Sequence, residues 1–340
     1  MKILLLQLKR IGDLILTTPA IAALRKNFPH AHITLVVAKE CTELLPAISD
    51  LDRILIARRS VRDMAPFSSV ATTKFDYCVD FTRNDRSALL TLVSRARKRI
   101  TSYRIRDQSK TRARIYTDLV EVRVRDLHTV DYNLALLGPL KVRPPSFSPY
   151  LNLPRIAREK AAALWRNWKT NRPYVIVQPG SARHEKMWEP VRWAEIINRF
   201  GADSDVDLVL TGGPSAHERA HIEAIKSRLR REIVDFSGKT DLLTLAALVA
   251  RAQLLVTVDS APVHLAAAMH TPQVILFGPT NPFHWRPRES PALILQGKSG
   301  VPITDFVPIQ PRFAMSDIST EAVISAMGSL LPCRATAETS

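Results

Sequence analysis

What most constrains the chain is an alternation that occurs twice. Short β-rich apolar runs are each followed by a helical pattern, once before a proline-rich stretch and again after it. In the first half, Lys2–Leu8, His32–Ala38, Arg53–Ala57, Asp76–Phe81 and Lys98–Tyr103 read as strands. Helical patterns fall at Leu14–Phe28, Glu40–Ile48, Arg86–Ser94 and Leu127–Leu137. In the second half, strands are expected at Tyr174–Gln178, Asp207–Thr211, Ile233–Phe236, Leu254–Val258 and Gln273–Phe277. Helices fall between them, and Thr320–Leu330 reads as a last helix. Strand–helix alternation of this kind implies α/β units with parallel sheets covered on both faces. The prolines of Gly138–Pro154 cannot sit inside helices or central strands, so this stretch reads as a linker. The expected division is a Rossmann-like domain over 1–150, a second over 151–333, and a disordered tail at 334–340.

Composition excludes several classes. No uninterrupted apolar stretch is long enough to span a bilayer as a helix. The apolar start meets charges at Lys9, Arg10 and Asp13 and shows no small-residue cleavage site, so it reads as a first buried strand. Cys41, Cys78 and Cys333 are scattered singly, which suits a reducing compartment, and the expectation is a cytoplasmic protein without a bound metal. The net charge is +16, and the excess concentrates between Arg83 and Arg125. A basic face of this kind is either a solvated surface or attracts polyanions, anionic lipid or a phosphorylated substrate. Interleaved aromatics and recognisable nucleic-acid motifs are missing, which argues against nucleic acid.

Ligands of open α/β sheets bind outside the carboxyl ends of strands, so the strand-to-helix turns carry the functional argument. The first, KRIGDLILTTPA, has one glycine, which disfavours a dinucleotide fingerprint. Asp13 is either a helix-capping carboxylate or a general base, with Gly12, Thr17 and Thr18 expected beside it on the acceptor side. In QPGSARHEKMW, Ser181 offers a hydroxyl and Lys186 a point charge for a phosphate; Lys186 is otherwise an exposed loop lysine, and Lys186→Ala is expected to leave the melting temperature nearly unchanged. Trp188 reads as packing. In LTGGPSAHERA, Glu218 either accepts from ribose hydroxyls or closes a capping box with Ser215. In VTVDSAPVHLAAAM, Asp259, Ser260 and Ala261 precede a helix whose positive end suits a pyrophosphate, and His264 is either a ligand contact or a packed histidine. Gly278, Pro279 and Thr280 follow the next strand. The run Asp203-Ser204-Asp205-Val206-Asp207 imitates a metal-binding DxD motif but precedes its strand, the wrong end for a ligand.

These turns, in this order, resemble glycosyltransferase family 9, the ADP-heptose:lipopolysaccharide heptosyltransferases. The matching stretches are LKRIGDLILTTPAIAALRKNFPHAHITLVV, VIVQPGSARHEKMWEPVRWAEII, VDFSGKTDLLTLAALVARAQLLVTVDSAPVHLAAAMHTPQVILFGPTNPFHWRP and AMSDISTEAVISAM. The resemblance implies a GT-B fold, two Rossmann-like domains with parallel sheets facing across a cleft. It implies an inverting, metal-independent transfer from a nucleotide-sugar, ADP-heptose, to a phosphorylated glycolipid, the lipid A–Kdo inner core. No cofactor is implied, and peripheral contact with an anionic inner-membrane surface is. It places Asp13 as base and Ser181, Lys186, Glu218, Asp259, Ser260, Ala261 and His264 as donor contacts. Asp259-Ser260-Ala261 stands where the family carries Asp-Thr-Gly, and Phe313-Ala314-Met315 where many members carry cysteines. Rival readings are another sugar transferase, a nucleotide-sugar epimerase, or a non-catalytic polyanion binder.

Overall fold

The computed structural model describes residues 1–58, 64–166, 168, 172–203 and 205–331. The expected tail at 334–340, Cys333 and Ser204 lie outside the described residues. The chain divides into two compact units. The first comprises Met1–Pro154 with Phe283–Arg288, and the second Arg155–Pro282 with Glu289–Ser340.

The first unit is built on β1 (Lys2–Gln7), β2 (His32–Ala38), β3 (Arg53–Ala57), β4 (Tyr77–Asp80), β5 (Lys98–Ser102) and β6 (Asp118–Val120). They form one sheet in the order β3-β2-β1-β4-β5-β6, and every pairing is parallel. The second unit has β7 (Tyr174–Gln178), β8 (Asp207–Leu210), β9 (Val234–Asp235), β10 (Leu254–Val258), β11 (Gln273–Phe277) and β12 (Ala292–Gln296). Its order, β12-β11-β10-β7-β8-β9, is the same doubly wound pattern and again parallel throughout. Central strands covered on both faces must be apolar on both. Ile3–Leu6 of β1, Val175–Val177 of β7 and Leu254–Val256 of β10 are all buried. Each sheet reverses its order once, at β1/β4 and at β7/β10, and at such a switch point the following connections diverge and leave a crevice.

Two edge strands, β6 and β12, were not expected from sequence. β6 has only three residues, all half-buried, too short to show a period; β12 begins with two half-buried residues after a proline. The last helix, Thr320–Leu330, has the expected bounds, with Ser319 as its N-cap. In the DxD-like run, Asp205 and Asp207 lie 3.6 and 3.8 Å from Arg172, at the amino end of β8.

Two expectations are corrected. The Gly138–Pro154 stretch is not a free tether, because its distal half belongs to the first unit. Leu151 and Leu153 are buried, the Asn152 N–H donates to the Ala47 carbonyl at 2.8 Å, and the Tyr150 hydroxyl donates to Asp50 at 2.5 Å. The segment Phe283–Arg288 also belongs there. His128 Nε2 meets the Arg286 carbonyl at 2.9 Å, His284 Nδ1 meets the Leu127 carbonyl at 3.0 Å, and Arg288 pairs with Asp131.

The second correction concerns Thr17 and Thr18. The helical pattern Leu14–Phe28, in which Thr17–Pro19 read as first turns or as a broken start, is broken there into two helices, Ile11–Ile15 and Thr18–Asn27. Pro19 has no N–H for the Ile15 carbonyl four residues back, so the helix breaks. The Thr18 hydroxyl takes that carbonyl at 2.8 Å and accepts from the Tyr150 N–H at 3.0 Å. The Thr17 hydroxyl donates to the Asp13 carbonyl at 2.7 Å and accepts from Gln7 at 2.8 Å. Both threonines are wholly buried, so they hold the break together and do not face an acceptor. Thr18→Val therefore leaves a buried carbonyl and a part-buried N–H without partners. It is expected to lower unfolding free energy by about 2–4 kcal/mol in urea titrations. Full stability with a raised acceptor KM would restore the acceptor-side role.

Candidate functional site

At the first unit's switch point, β1 runs through Leu8–Arg10 into the short helix Ile11–Ile15. Gly12 lies in that helix, half-buried, with its carbonyl bonded to the Leu16 N–H at 2.9 Å. Asp13 is half-buried too. One carboxylate oxygen accepts from the Arg10 N–H at 3.3 Å, and the other faces Lys9 Nζ at 3.9 Å. The capping contact is thus present and long, and the carboxylate keeps lone pairs to spare. Burial lowers the Lys9 pKa, partly offset by the attraction of Asp13, and Arg83 pushes the same way as burial. Lys9 thus feels both the Asp13 carboxylate and the Arg83 guanidinium.

Sequence reasoning passed over Asp80, the last residue of β4. It is wholly buried and accepts four hydrogen bonds, from the Thr82 and Arg83 N–H groups at 2.8 and 3.0 Å, the Ser87 hydroxyl at 2.7 Å and the Tyr116 hydroxyl at 2.6 Å. The Tyr116 pKa is raised, by burial first and then by this carboxylate. Asp80 fixes the turn in which Arg83 adopts φ +63° and lays its guanidinium 5.3 Å from the Tyr132 ring centroid. A signal was available: an aspartate ending a strand, with Thr82, Asn84 and Ser87 following as turn and cap formers.

At the second switch point the turns after β7 and β10 meet through an ion pair. Lys186 Nζ lies 2.5 Å from Asp259 Oδ2, with side chains 13% and 7% exposed. The same ammonium reaches the Asp259 carbonyl at 3.2 Å, and the Thr280 hydroxyl donates to Asp259 Oδ2 at 2.6 Å. Gln296 in turn holds the Thr280 carbonyl at 3.1 Å. Lys186 is therefore not an exposed loop lysine. Trp188, just beyond it, is wholly buried edge-on against Trp193.

The turn after β8 is attached to the same cluster. Ser215 caps the helix Ala216–Lys226, and its hydroxyl donates to Glu218 Oε2 at 2.8 Å. The Glu218 carboxylate lies so close over the turns that a Cβ on Gly180 would overlap its Oε1, and one on Gly213 would come within 2.5 Å of its Oε2. Only glycine allows that approach at these two positions. The cap is the Ser215 hydroxyl, and the second Glu218 oxygen, Oε1, takes no part in it. Ser181 is buried, and its hydroxyl accepts from the Arg183 N–H at 3.2 Å.

Ser260 is the N-cap of the helix Ala261–Ala268, with Ala261 half-buried and Pro262 near its start. His264 is 5% exposed, one turn further in. Met315 packs against Gly278, so close that a Cβ there would fall 2.5 Å from its sulfur. The turns after β7, β8, β10 and β11 thus bring Ser181, Lys186, Glu218, Asp259 and Thr280 into one connected cluster. The cluster can hold an anion at its ammonium and helix end and hydroxyls at Glu218.

Comparison with known proteins agrees with this layout. Residues 65–300 match a family model described as glycosyltransferase family 9 (heptosyltransferase). Lipopolysaccharide heptosyltransferase 3 from Escherichia coli is 29% identical over 285 residues, which cover 81% of this chain and 83% of the relative. The crystal structure of a glycosyl transferase family 9 protein from Veillonella parvula DSM 2008 matches with a TM-score of 0.83 at 25% identity, covering 97% of this chain and 96% of that one. The structure of E. coli ADP-heptose lps heptosyltransferase II matches with a TM-score of 0.77 at 21% identity, covering 97% and 98%. The fold is the α/β, GT-B class expected from sequence.

The ion pair revises the expected effect of Lys186→Ala. Removing one partner of a nearly buried pair leaves an uncompensated charge, at a cost of about 3–5 kcal/mol. The variant should therefore melt several degrees lower, and Lys186→Met with Asp259→Asn should recover much of the loss. An unchanged melting temperature in the single variant would show that the pair adds no stability.

Proposed function

The chain belongs to glycosyltransferase family 9 and is a glycosyltransferase of the heptosyltransferase kind, and we propose that it transfers a heptose from ADP-heptose to the phosphorylated inner core of lipopolysaccharide. The observation that carries the donor half is the cluster tied by Lys186 and Asp259. It places an ammonium, a helix amino end at Ser260–Ala261 and a seated carboxylate, Glu218, at the carboxyl ends of adjacent strands. A nucleoside diphosphate needs those three things: cations and N–H groups for its phosphates and an acceptor for its ribose hydroxyls. ADP-heptose is named for the E. coli protein of similar fold, and lipopolysaccharide for the E. coli relative. The epimerase reading has no observation of its own in its favour, and the basic stretch that a polyanion binder would use is equally accounted for by a phosphorylated acceptor.

In this reading Asp13 takes the proton of the acceptor hydroxyl as that oxygen attacks the anomeric carbon. The bond from that carbon to the diphosphate breaks, with inversion, and ADP leaves with the bonding pair. Lys186 and the helix end stabilise the charge that develops on the diphosphate. Ser181, Asp259, Ala261 and His264 complete the donor side, and Gly12 lies beside Asp13. These groups do the work that a divalent ion does in other transferases, so we propose that the transfer needs neither metal nor cofactor. The basic stretch from Arg83 to Arg125 suits an acceptor carrying phosphates, and the proposed location is the cytoplasmic face of an anionic membrane.

Two experiments test this. Asp13→Asn keeps size and capping, since Asn and Asp cap about equally, but cannot take the proton. It should fold and bind ADP while losing about a hundredfold to ten-thousandfold of turnover; retention of more than about a tenth would remove Asp13 from the role. Transfer should also persist in EDTA. Loss on chelation, reversed by magnesium or manganese, would refute metal independence.

A further inference from the structure

His217 belongs to none of the roles assigned above, yet its ring joins two of the donor turns. Nε2 lies 2.9 Å from the Ser181 carbonyl oxygen, in the turn after β7. Nδ1 lies 3.2 Å from the Ser215 hydroxyl, the cap of the turn after β8. That same hydroxyl lies 2.8 Å from Glu218 Oε2 and accepts from the Glu218 N–H at 3.4 Å. A chain of contacts therefore runs from Glu218 through Ser215 and His217 to Ser181, five residues before Lys186.

Counting hydrogens shows that this chain is not satisfied all at once. The Ser181 carbonyl only accepts, so Nε2 carries the hydrogen. In the neutral ring Nδ1 then only accepts, and so does the Glu218 carboxylate. Ser215 has a single hydroxyl hydrogen, and two acceptors face it. When Ser215 donates to Glu218, the Nδ1 lone pair is left facing an oxygen.

We propose that Ser215 is a hydrogen-bond switch read by His217, which acts as a positioning residue for diol-bearing nucleotides. The inference rests on the reading of Glu218 as the acceptor for ribose hydroxyls. A ligand diol donates one hydroxyl to each Glu218 oxygen, and the one on Oε2 replaces the Ser215 hydrogen there. Ser215 then turns its hydrogen to Nδ1, and the ring is held on both sides. Nε2 is fixed against the Ser181 carbonyl, and the turn that leads to Lys186 is fixed with it. Recognition of the diol at one end of the nucleotide is thereby coupled to the placement of the cation at the other. No bond is made or broken, and the hydroxyl hydrogen only rotates between two acceptors.

The coupling is read by titration calorimetry of the full chain with ADP and with 2′,3′-dideoxy-ADP, which lacks the diol. Wild-type protein is expected to favour ADP by about tenfold or more. In His217→Ala the ADP affinity should fall about tenfold while that for the dideoxy nucleotide changes less than about twofold, so the preference collapses. Ser215→Ala should erase the same preference. His217→Gln keeps an amide hydrogen for the Ser181 carbonyl and should restore part of it. In turnover assays the donor KM should rise in His217→Ala with kcat nearly unchanged. If His217→Ala weakens both nucleotides equally, the switch is overturned and His217 is a contact of the fold only. If folded wild-type protein binds no ADP, both the switch and the donor reading fall together. The two failures are therefore distinguishable.

Discussion

The pairing of Lys186 with Asp259 ties together the turns that follow β7 and β10, the two strands at which the second sheet reverses its order. A lysine on a turn of this kind would ordinarily be mobile and hydrated. Here its ammonium is anchored by a carboxylate that is itself held by Thr280, so the charge is kept beside Asp259 before any ligand arrives, and what a ligand can still set is the turn that carries it. Preorganisation of this sort is what makes a charge useful against a diphosphate. It also has a cost in strength, because Asp259 offsets part of the field that Lys186 presents. The helix end at Ser260 and Ala261 adds a field that Asp259 does not pair directly.

The first unit uses the same architecture for a different end. Its fourth strand also finishes in a buried aspartate, Asp80, beside the strand reversal. Asp80 accepts from two backbone N–H groups and two hydroxyls, and among the described residues no cation pairs with it. Its lone pairs are consumed by the turn it builds, which leaves no capacity for a substrate. Asp13, on the neighbouring connection, is the opposite case. Its contacts with Arg10 and Lys9 are long, and part of its carboxylate faces solvent. A carboxylate that is to take a proton must be reachable and incompletely satisfied, and of these two only Asp13 is.

The sequence made the strands and the functional turns legible for a physical reason. Both sheets are buried on two faces, so their central strands are short apolar runs between turn residues, the strongest pattern that a parallel sheet writes into a chain. β1, β7, β10 and β11 show this, and the catalytic and donor candidates follow from the rule that ligands sit beyond their carboxyl ends. What stayed hidden depends on contacts between residues far apart. β6 is too short to carry a period. The break between Leu16 and Thr18 needed the Pro19 ring weighed against the hydroxyls of Thr17 and Thr18, whose partners Gln7 and Tyr150 lie elsewhere. The attachment of Leu151 and Leu153 to the first unit could not be read from a proline-rich stretch, since prolines say where helices stop and not where a chain packs.

Lys186 and Glu218 show how a residue's role can be right in kind while its environment is not visible. Their chemistry, a cation and a carboxylate at strand ends, is written in the sequence. The burial of the Lys186 pair is not, nor is the seat that Gly180 and Gly213 make for Glu218. Those glycines read as turn formers, and their second use follows from space: each omits a Cβ where a carboxylate must lie against backbone. The consequence is that both oxygens of the Glu218 carboxylate are placed by one constraint. A larger residue at Gly180 or Gly213 would push the carboxylate aside, and with it both the Ser215 hydrogen bond to Oε2 and the placement of the hydroxyl acceptor.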